Sequence, residues 1–231
     1  MIDLLIPIIL LTLIVMIILI VHESGHAIAG KSVGFLVNEI SMGIGPRLAK
    51  FEYRGTTYSL RIGIFVGAYC RLMIDKVEPK VYQRVIVSLA GPGANILTAF
   101  LAGFVFLGFD LTMTSTHGMF NNIGILISHP MNIITGHLPD LGIPMQHLSL
   151  LQRSVEIFLF GSLLVGITNL IPLPTLDGGN VVMTIVGSFF GSGFAPVEKR
   201  LRFAGFVIMM GLLVGQAVYA LNLLIQHKLL F

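Results

Sequence analysis

The chain has 231 residues, of which 55% are hydrophobic and only 11% are charged. A soluble domain carries about twice that share of charged residues, so the composition excludes an ordinary soluble protein and predicts an integral membrane protein. The net charge is +3, but in such a chain we interpret the basic residues as topology signals and expect no nucleic-acid partner. The length allows one membrane-embedded domain over 1–231.

Four apolar segments are long enough to cross a bilayer, which takes about 20 residues of helix. We predict a mainly α-helical membrane protein with about four transmembrane helices, at about 4–29, 85–109, 157–175 and 203–226. The first segment has no basic residues before it and no evident cleavage site, so we interpret it as a retained helix rather than a signal peptide. A fifth apolar stretch, 181–196, contains three glycines and is predicted to be too short and too broken to span.

The region 32–80, after the first helix, is not helical in character. Its sequence FEYRGTTYSLRI (51–62) has aromatic and β-branched residues around Arg54-Gly55, which predicts a β-hairpin. The following stretch IGIFVGAYC (62–70) is either a re-entrant loop at membrane depth or part of a plain cytoplasmic hairpin. The single cysteine, Cys70, allows no intramolecular disulfide and is expected to be a packing residue.

The stretch 110–153 mixes polar and apolar residues, and we expect it to lie outside the membrane as loops and interfacial helix. It holds four histidines, at 117, 129, 137 and 147. Their spacing fits no compact metal site, so we expect ordinary surface histidines.

Lysine and arginine predict the orientation, because they concentrate in cytoplasmic loops. Nine of the fourteen lie between Lys31 and Arg84, and three more lie at 199–202. We therefore predict that 31–84 and 177–202 are cytoplasmic, and that both termini and 110–153 face outside.

The sequence HESGH places ionisable residues at the end of the first predicted helix, where burying them is costly. His22 and His26 are four residues apart and share one helix face. His-Glu-x-x-His on a helix is the zinc-hydrolase pattern, in which two imidazoles bind the metal and the glutamate, here Glu23, handles the proton of the attacking water. The pattern predicts a zinc site with Glu23 as the catalytic acid/base.

A third ligand is expected in NLIPLPTLDGGN (169–180). Asp177 follows Pro172 and Pro174, which are predicted to end the third helix, and two glycines allow a sharp turn after it. The alternative is an ordinary loop aspartate that caps a helix over 180–189. Both motifs lie toward the cytoplasmic ends of their helices, which favours Asp177 as a ligand.

These two motifs together resemble the site-2 protease family of intramembrane zinc metalloproteases, whose patterns are H-E-x-x-H and N-x-x-P-x-P-x-L-D-G. SMGIGP (41–46) and AGPGAN (90–95) also look like the bacterial members. The resemblance implies one zinc ion per chain bound by His22, His26 and Asp177, with Glu23 as catalytic residue. It further implies that Asn169 holds the substrate backbone or supports the oxyanion, that Asn95 lines the same cavity, and that the 51–72 hairpin offers an edge strand to the substrate.

The resemblance also implies a place and partners for the protein. We expect a bacterial cytoplasmic membrane, single-span membrane proteins as substrates, the lipid bilayer around the chain, and a regulatory membrane partner. About forty residues separate the second and third predicted helices, too few for the PDZ domain that many bacterial members carry there. Two other readings are a catalytically silent membrane protein with the same fold, and a metal transporter, which would need polar residues along several helices.

Overall fold

The computed structural model describes residues 2–73, 78–128 and 148–228. Their secondary structure is mainly helical, with two long strands after the first helix. The helices are α1 (Ile2–Ser32), α2 (Val81–Phe106), α3 (Phe109–Ser128), α4 (Leu150–Asn169), α5 (Asp177–Phe190) and α6 (Ala195–Lys228), a 3-10 turn covers Gly191–Phe194, and the strands are β1 (Leu36–Tyr53) and β2 (Thr56–Met73).

Three helices of the described residues are long and apolar enough to cross a membrane: Ile9–Ser32 within α1, all of α2, and all of α4. This confirms a helical membrane protein. The predicted fourth span, 203–226, lies within α6 and stays a prediction as a membrane crossing. The stretch 181–196 contributes to α5, a helix of 14 residues, which at about 1.5 Å per residue is too short for a bilayer.

The predicted bounds of the third helix, 157–175, were wrong. α4 begins seven residues earlier, because Ser149 and Gln152 form a capping box at its start, and such a box satisfies free N–H groups of the first turn. It ends at Asn169, before both prolines of the following loop. The predicted start at 157 excludes Arg153 and Glu156 because both are charged. The helix nevertheless contains both residues, and Glu156 is buried in it.

The placement of 110–153 on the outer side of the membrane stays a prediction, but its first half is more than loop and forms α3. α3 packs against α2 and α4, and Met119 joins Ala99, Leu159 and Leu163 in the buried core. Hydropathy does not reveal this packing, because it counts the buried Thr112 and Thr116 as polar. The Thr112 hydroxyl donates to the carbonyl of Gly108, just before α3, and the Thr116 hydroxyl donates to the carbonyl of Thr112, both at 2.7 Å. A hydroxyl satisfied in this way can enter an apolar interface. Of the four histidines, His117 is exposed and the other three lie outside the described residues.

The predicted hairpin is confirmed. β1 and β2 are joined by the two residues Arg54 and Gly55, with φ values of 49° and 74°. Positive φ at both central positions gives a type I′ turn, whose twist matches that of paired strands.

The sheet is more folded than a simple hairpin. β1 bends at Gly43 and Gly45, whose φ values of 86° and 94° lie in the left-handed region. Residues 36–42 therefore pair antiparallel with 68–73, while 39–42 also run beside 57–60, and 47–53 pair antiparallel with 56–61. The lateral order is 47–53, 56–61, 36–42, 68–73, so within the described residues the run 68–73 has one free edge.

Glu39 lies at the centre of this sheet with only 2% of its surface exposed. Burial alone would raise the pKa of its carboxyl. Hydrogen bonds from Ser59, Arg61 and Arg47 oppose this and lower the pKa to about 2. The bent sheet is therefore held by a buried ion cluster as well as by its ladder.

Candidate active site

α1 places three ionisable side chains together in its final third. His22 and Glu23 are 6% and 7% exposed, and His26 follows one turn later. The part of the helix before them, 4–21, has Thr12 as its one polar residue, and the three side chains face a protein cavity rather than lipid, as buried polar groups must. They form one wall of a cavity of about 350 Å³.

Three donor atoms meet at this wall. His22 Nε2 lies 3.0 Å from Asp177 Oδ2, His26 Nε2 lies 3.2 Å from His22 Nε2, and His26 Nε2 lies 3.3 Å from Asp177 Oδ2. A tetrahedral zinc ion with bonds of about 2.0–2.1 Å holds its ligand atoms about 3.3–3.4 Å apart. The observed triangle agrees within a few tenths of an ångström, so these residues fit a zinc ion that has one further position open.

α2 supports both histidines from behind. His26 donates its Nδ1 proton to the carbonyl of Val87 at 2.7 Å, which leaves Nε2 free for a metal. Gly91 gives the ring its space, since a Cβ there would lie 2.3 Å from His26 Nε2. Asn95 lies behind His22, with its side-chain amide 3.2 Å from Nδ1.

The chain reaches Asp177 through a tight loop after α4. Asp177 is the first residue of α5, and the N-cap position belongs to Leu176. The helix packs directly on the loop backbone, because a Cβ at Gly179 would lie 1.8 Å from the carbonyl oxygen of Leu173. The capping role considered for Asp177 is therefore not seen, and its carboxylate faces the two histidines.

Glu23 lines the cavity beside the donor triangle. Among the described residues, the cluster that could hold a metal comprises His22, His26 and Asp177, without Glu23. Cys70 of β2 lines the cavity with Glu23. Ala68, Tyr69 and Leu72 of the same edge strand also line the cavity, so the free edge of the sheet runs along the site.

The two asparagines occupy different places. Asn169 lines the cavity, but its Nδ2 already donates to the carbonyl of Val165 at 3.0 Å. Asn95 is fully buried and stands behind His22 rather than in the cavity wall.

Two further wall residues, Thr175 and Asn180, were not singled out from the sequence. Asn180 stands one helical turn after Asp177, a spacing that places both on one face of α5. That spacing was the only signal in the sequence for this residue.

The family model of peptidase family M50 matches residues 10–212, a stretch that contains the bent sheet and all three donor residues. The chain belongs to this family. Family M50 comprises the site-2 proteases, so the resemblance stated from the two motifs is confirmed.

Curated relatives of this M50 chain include three metalloproteases. The chloroplastic membrane metalloprotease ARASP of Arabidopsis thaliana is 39% identical over 101 residues, 38% of this chain and 22% of that protein. A putative zinc metalloprotease of Fusobacterium nucleatum is 37% identical over 97 residues, 38% of this chain and 28% of that protein. The zinc metalloprotease RasP of Shouchella clausii is 38% identical over 58 residues, 25% and 14% of the two chains. The chain thus spans less than a third of the length of these relatives.

Proposed function

We propose that the protein is a zinc metalloprotease that hydrolyses peptide bonds within or near transmembrane segments of membrane-anchored proteins, with one zinc ion per chain. The observation that carries this proposal is the donor triangle of His22, His26 and Asp177, with the Glu23 carboxylate beside it in a cavity between membrane-length helices. The names of the M50 relatives support a zinc-dependent protease.

The chemistry divides between the metal and Glu23. Zinc, when bound, polarises the scissile carbonyl and activates a water for attack. Glu23 takes the proton of the attacking water and delivers it to the leaving amine nitrogen. Glu23 is buried and lines the same cavity as the three donor residues, which supports this role.

The free edge of 68–73 suits an extended substrate. A helical substrate hides its peptide bonds, so it must unwind before attack, and its freed N–H and C=O groups then need partners. Addition as a strand to an exposed edge supplies them. Ala68, Tyr69 and Cys70 line the same cavity as Glu23 of α1, and this supports the re-entrant alternative for the stretch 62–70.

The contacts of Asn169 are compatible with both roles expected for it. One N–H of its Nδ2 donates to the Val165 carbonyl at 3.0 Å, which fixes the orientation of the amide. An amide has a second N–H, which can donate to an oxyanion, and an oxygen, which can accept from a substrate N–H.

We further propose the orientation given by the basic residues, with the site toward the cytoplasm of a bacterial inner membrane and both termini outside. Single cysteines introduced into a Cys70→Ala background test it in intact cells. Position 54 should resist an impermeant thiol reagent until the cells are opened, and ready labelling in intact cells would reverse the topology.

The test of function uses Glu23→Gln, which is nearly isosteric but cannot carry the proton. We expect zinc content near that of the wild type and loss of at least about 100-fold in cleavage of a model single-span substrate, the scale for removing a general base. His26→Ala is the matched comparison, because it should lose zinc as well. Full cleavage by Glu23→Gln would refute the mechanism, and a zinc-loaded wild type that cleaves nothing would indicate the silent binding protein.

A further inference from the structure

Asn95 has an unusual hydrogen-bonding position in the interior. It is 0% exposed, its Nδ2 lies 3.2 Å from His22 Nδ1, and its Oδ1 has no hydrogen-bond partner among the described residues. A buried polar atom without a partner costs free energy. The position of this oxygen beside the His22 ring indicates that it accepts a hydrogen bond when the ring carries its proton on Nδ1.

The two nitrogens of His22 have linked roles. A neutral imidazole carries its proton on one nitrogen and accepts with the other. If Nε2 is the zinc ligand, as the triangle indicates, the proton lies on Nδ1, which becomes a donor. A donor cannot bond to the amide NH2, so the amide must present Oδ1. A half-turn of the amide exchanges these two atoms with almost no change of shape.

We propose that Asn95 is a positioning residue for zinc, whose side-chain oxygen accepts the Nδ1 proton of His22 in the zinc-bound enzyme. This inference rests on the proposed zinc site. It gives the two histidine ligands the same arrangement, because His26 already donates Nδ1–H to the Val87 carbonyl. Both rings then direct Nε2 to the metal, and both are held by α2.

The surroundings of Asn95 leave the amide few alternatives. The Ser162 hydroxyl of α4 donates to the Asn95 backbone carbonyl at 3.1 Å. Gly166, one turn further along α4, lets the helices approach so closely that a Cβ there would meet the Pro92 carbonyl oxygen at 3.0 Å. The close packing leaves the side-chain amide as the partner for His22 Nδ1.

The experiment measures zinc affinity of the purified full chain in detergent, by chelator competition and without substrate. Asn95→Leu keeps most of the volume but removes the acceptor, and we expect the zinc dissociation constant to rise about 10–100-fold, the usual effect of losing such a supporting contact. Asn95→Asp offers an acceptor in either orientation, so it should bind zinc at least as tightly as the wild type. Ser162→Ala is the control, because its hydroxyl contacts only the backbone of Asn95, and it should leave the affinity unchanged.

Two results would overturn the proposal: wild-type affinity in Asn95→Leu, or a folded Asn95→Asp that loses as much affinity as the leucine variant. The aspartate arm decides alone if the leucine variant does not fold. Nitrogen-15 NMR of the zinc-loaded wild type gives a second readout, since His22 Nδ1 should be protonated and Nε2 metal-bound. Failure of proteolysis with these affinities intact would refute the protease and leave this inference standing.

Discussion

His26 and Val87 are joined by a hydrogen bond of 2.7 Å from the imidazole Nδ1 to the backbone carbonyl. This contact ties a proposed metal ligand on α1 to the backbone of α2, so the ligand geometry depends on how closely these helices approach. Gly25 of α1 and Gly91 of α2 both permit this approach, because a Cβ at Gly25 would lie 2.5 Å from the Ala90 carbonyl oxygen and a Cβ at Gly91 would meet the His26 ring.

Gly91→Ala should therefore disturb the zinc site. The added Cβ would lie 2.3–2.8 Å from three atoms of the His26 ring, and overpacking of this kind costs about 1–3 kcal/mol. We expect reduced zinc per chain and a lower unfolding temperature, measured by metal analysis and thermal unfolding in detergent. Gly93→Ala is the control, because a Cβ there meets nothing within 4 Å. Equal zinc content in the two variants would contradict the role assigned to Gly91.

Gly179→Ala should displace the third proposed ligand. Its Cβ would meet the Leu173 carbonyl oxygen at 1.8 Å, and neither that backbone nor the helix can yield without moving Asp177. We expect loss of zinc binding and of cleavage. Gly187→Ala on the same helix makes only an ordinary contact with Phe194 at 3.4 Å and should behave like the wild type. If Gly179→Ala retained zinc, the ligand position would not depend on this close packing.

The ion cluster of Glu39 should make the stability of the sheet sensitive to acid. Its folded pKa of about 2 lies below the ordinary value of 4.5, so its ion cluster stabilises the fold above pH 4.5 and the contribution is lost as pH falls toward 2. The shift sets an upper limit of about 3 kcal/mol on the contribution to unfolding free energy, and solvent around the partly exposed side chains of Arg47 and Arg71 reduces it. Glu39→Gln should therefore be less stable than the wild type at pH 7, and the difference should shrink with acid.

The comparison for Glu39 is Glu52→Gln, an exposed glutamate of the same sheet. Its stability should follow the wild type across the same range of pH. A constant difference between Glu39→Gln and the wild type from pH 7 to pH 3 would mean that packing, rather than charge, explains the effect.

Substitution of Arg202 should affect catalysis, although this residue lies outside the cavity wall. Its Nη1 donates to Asn180 Oδ1 at 2.5 Å and to the Pro174 carbonyl at 3.2 Å, so α6 supports both a cavity-wall residue and the loop before Asp177. Since small misplacements at an active site cost up to about 100-fold in rate, we expect Arg202→Gln to lower kcat/KM by about 10-fold. Exposed Arg200→Gln is the control, and equal loss in both would indicate a general effect of charge.

The sequence predicted best what depends on short spacing. His22 and His26 share a face because a helix turns every 3.6 residues, and Arg54-Gly55 gave the hairpin because both residues must tolerate positive φ. The meeting of Asp177 with the histidines followed from the two motifs taken together.

The sequence predicted poorly what depends on mutual packing. Hydropathy does not reveal that α3 packs on α2 and α4, because it counts Thr112 and Thr116 as polar, although both hydroxyls donate to backbone carbonyls one turn earlier. The lateral order of the sheet follows from a bend at Gly43 and Gly45 that alternation of side chains does not reveal. Asn95 was expected in the cavity wall, and its place behind His22 depends on how α1, α2 and α4 pack.

The separation of the donor residues along the chain has a consequence for biosynthesis. His22 and Asp177 are 155 residues apart, and a ribosome adding about 5–20 residues per second needs on the order of 10–30 s to cover that distance. During this interval the nascent chain carries both histidines and Glu23 without the aspartate. The proposed zinc site therefore stays incomplete until Asp177 has been synthesised, and under the proposed function we expect no proteolysis by the nascent chain before that point.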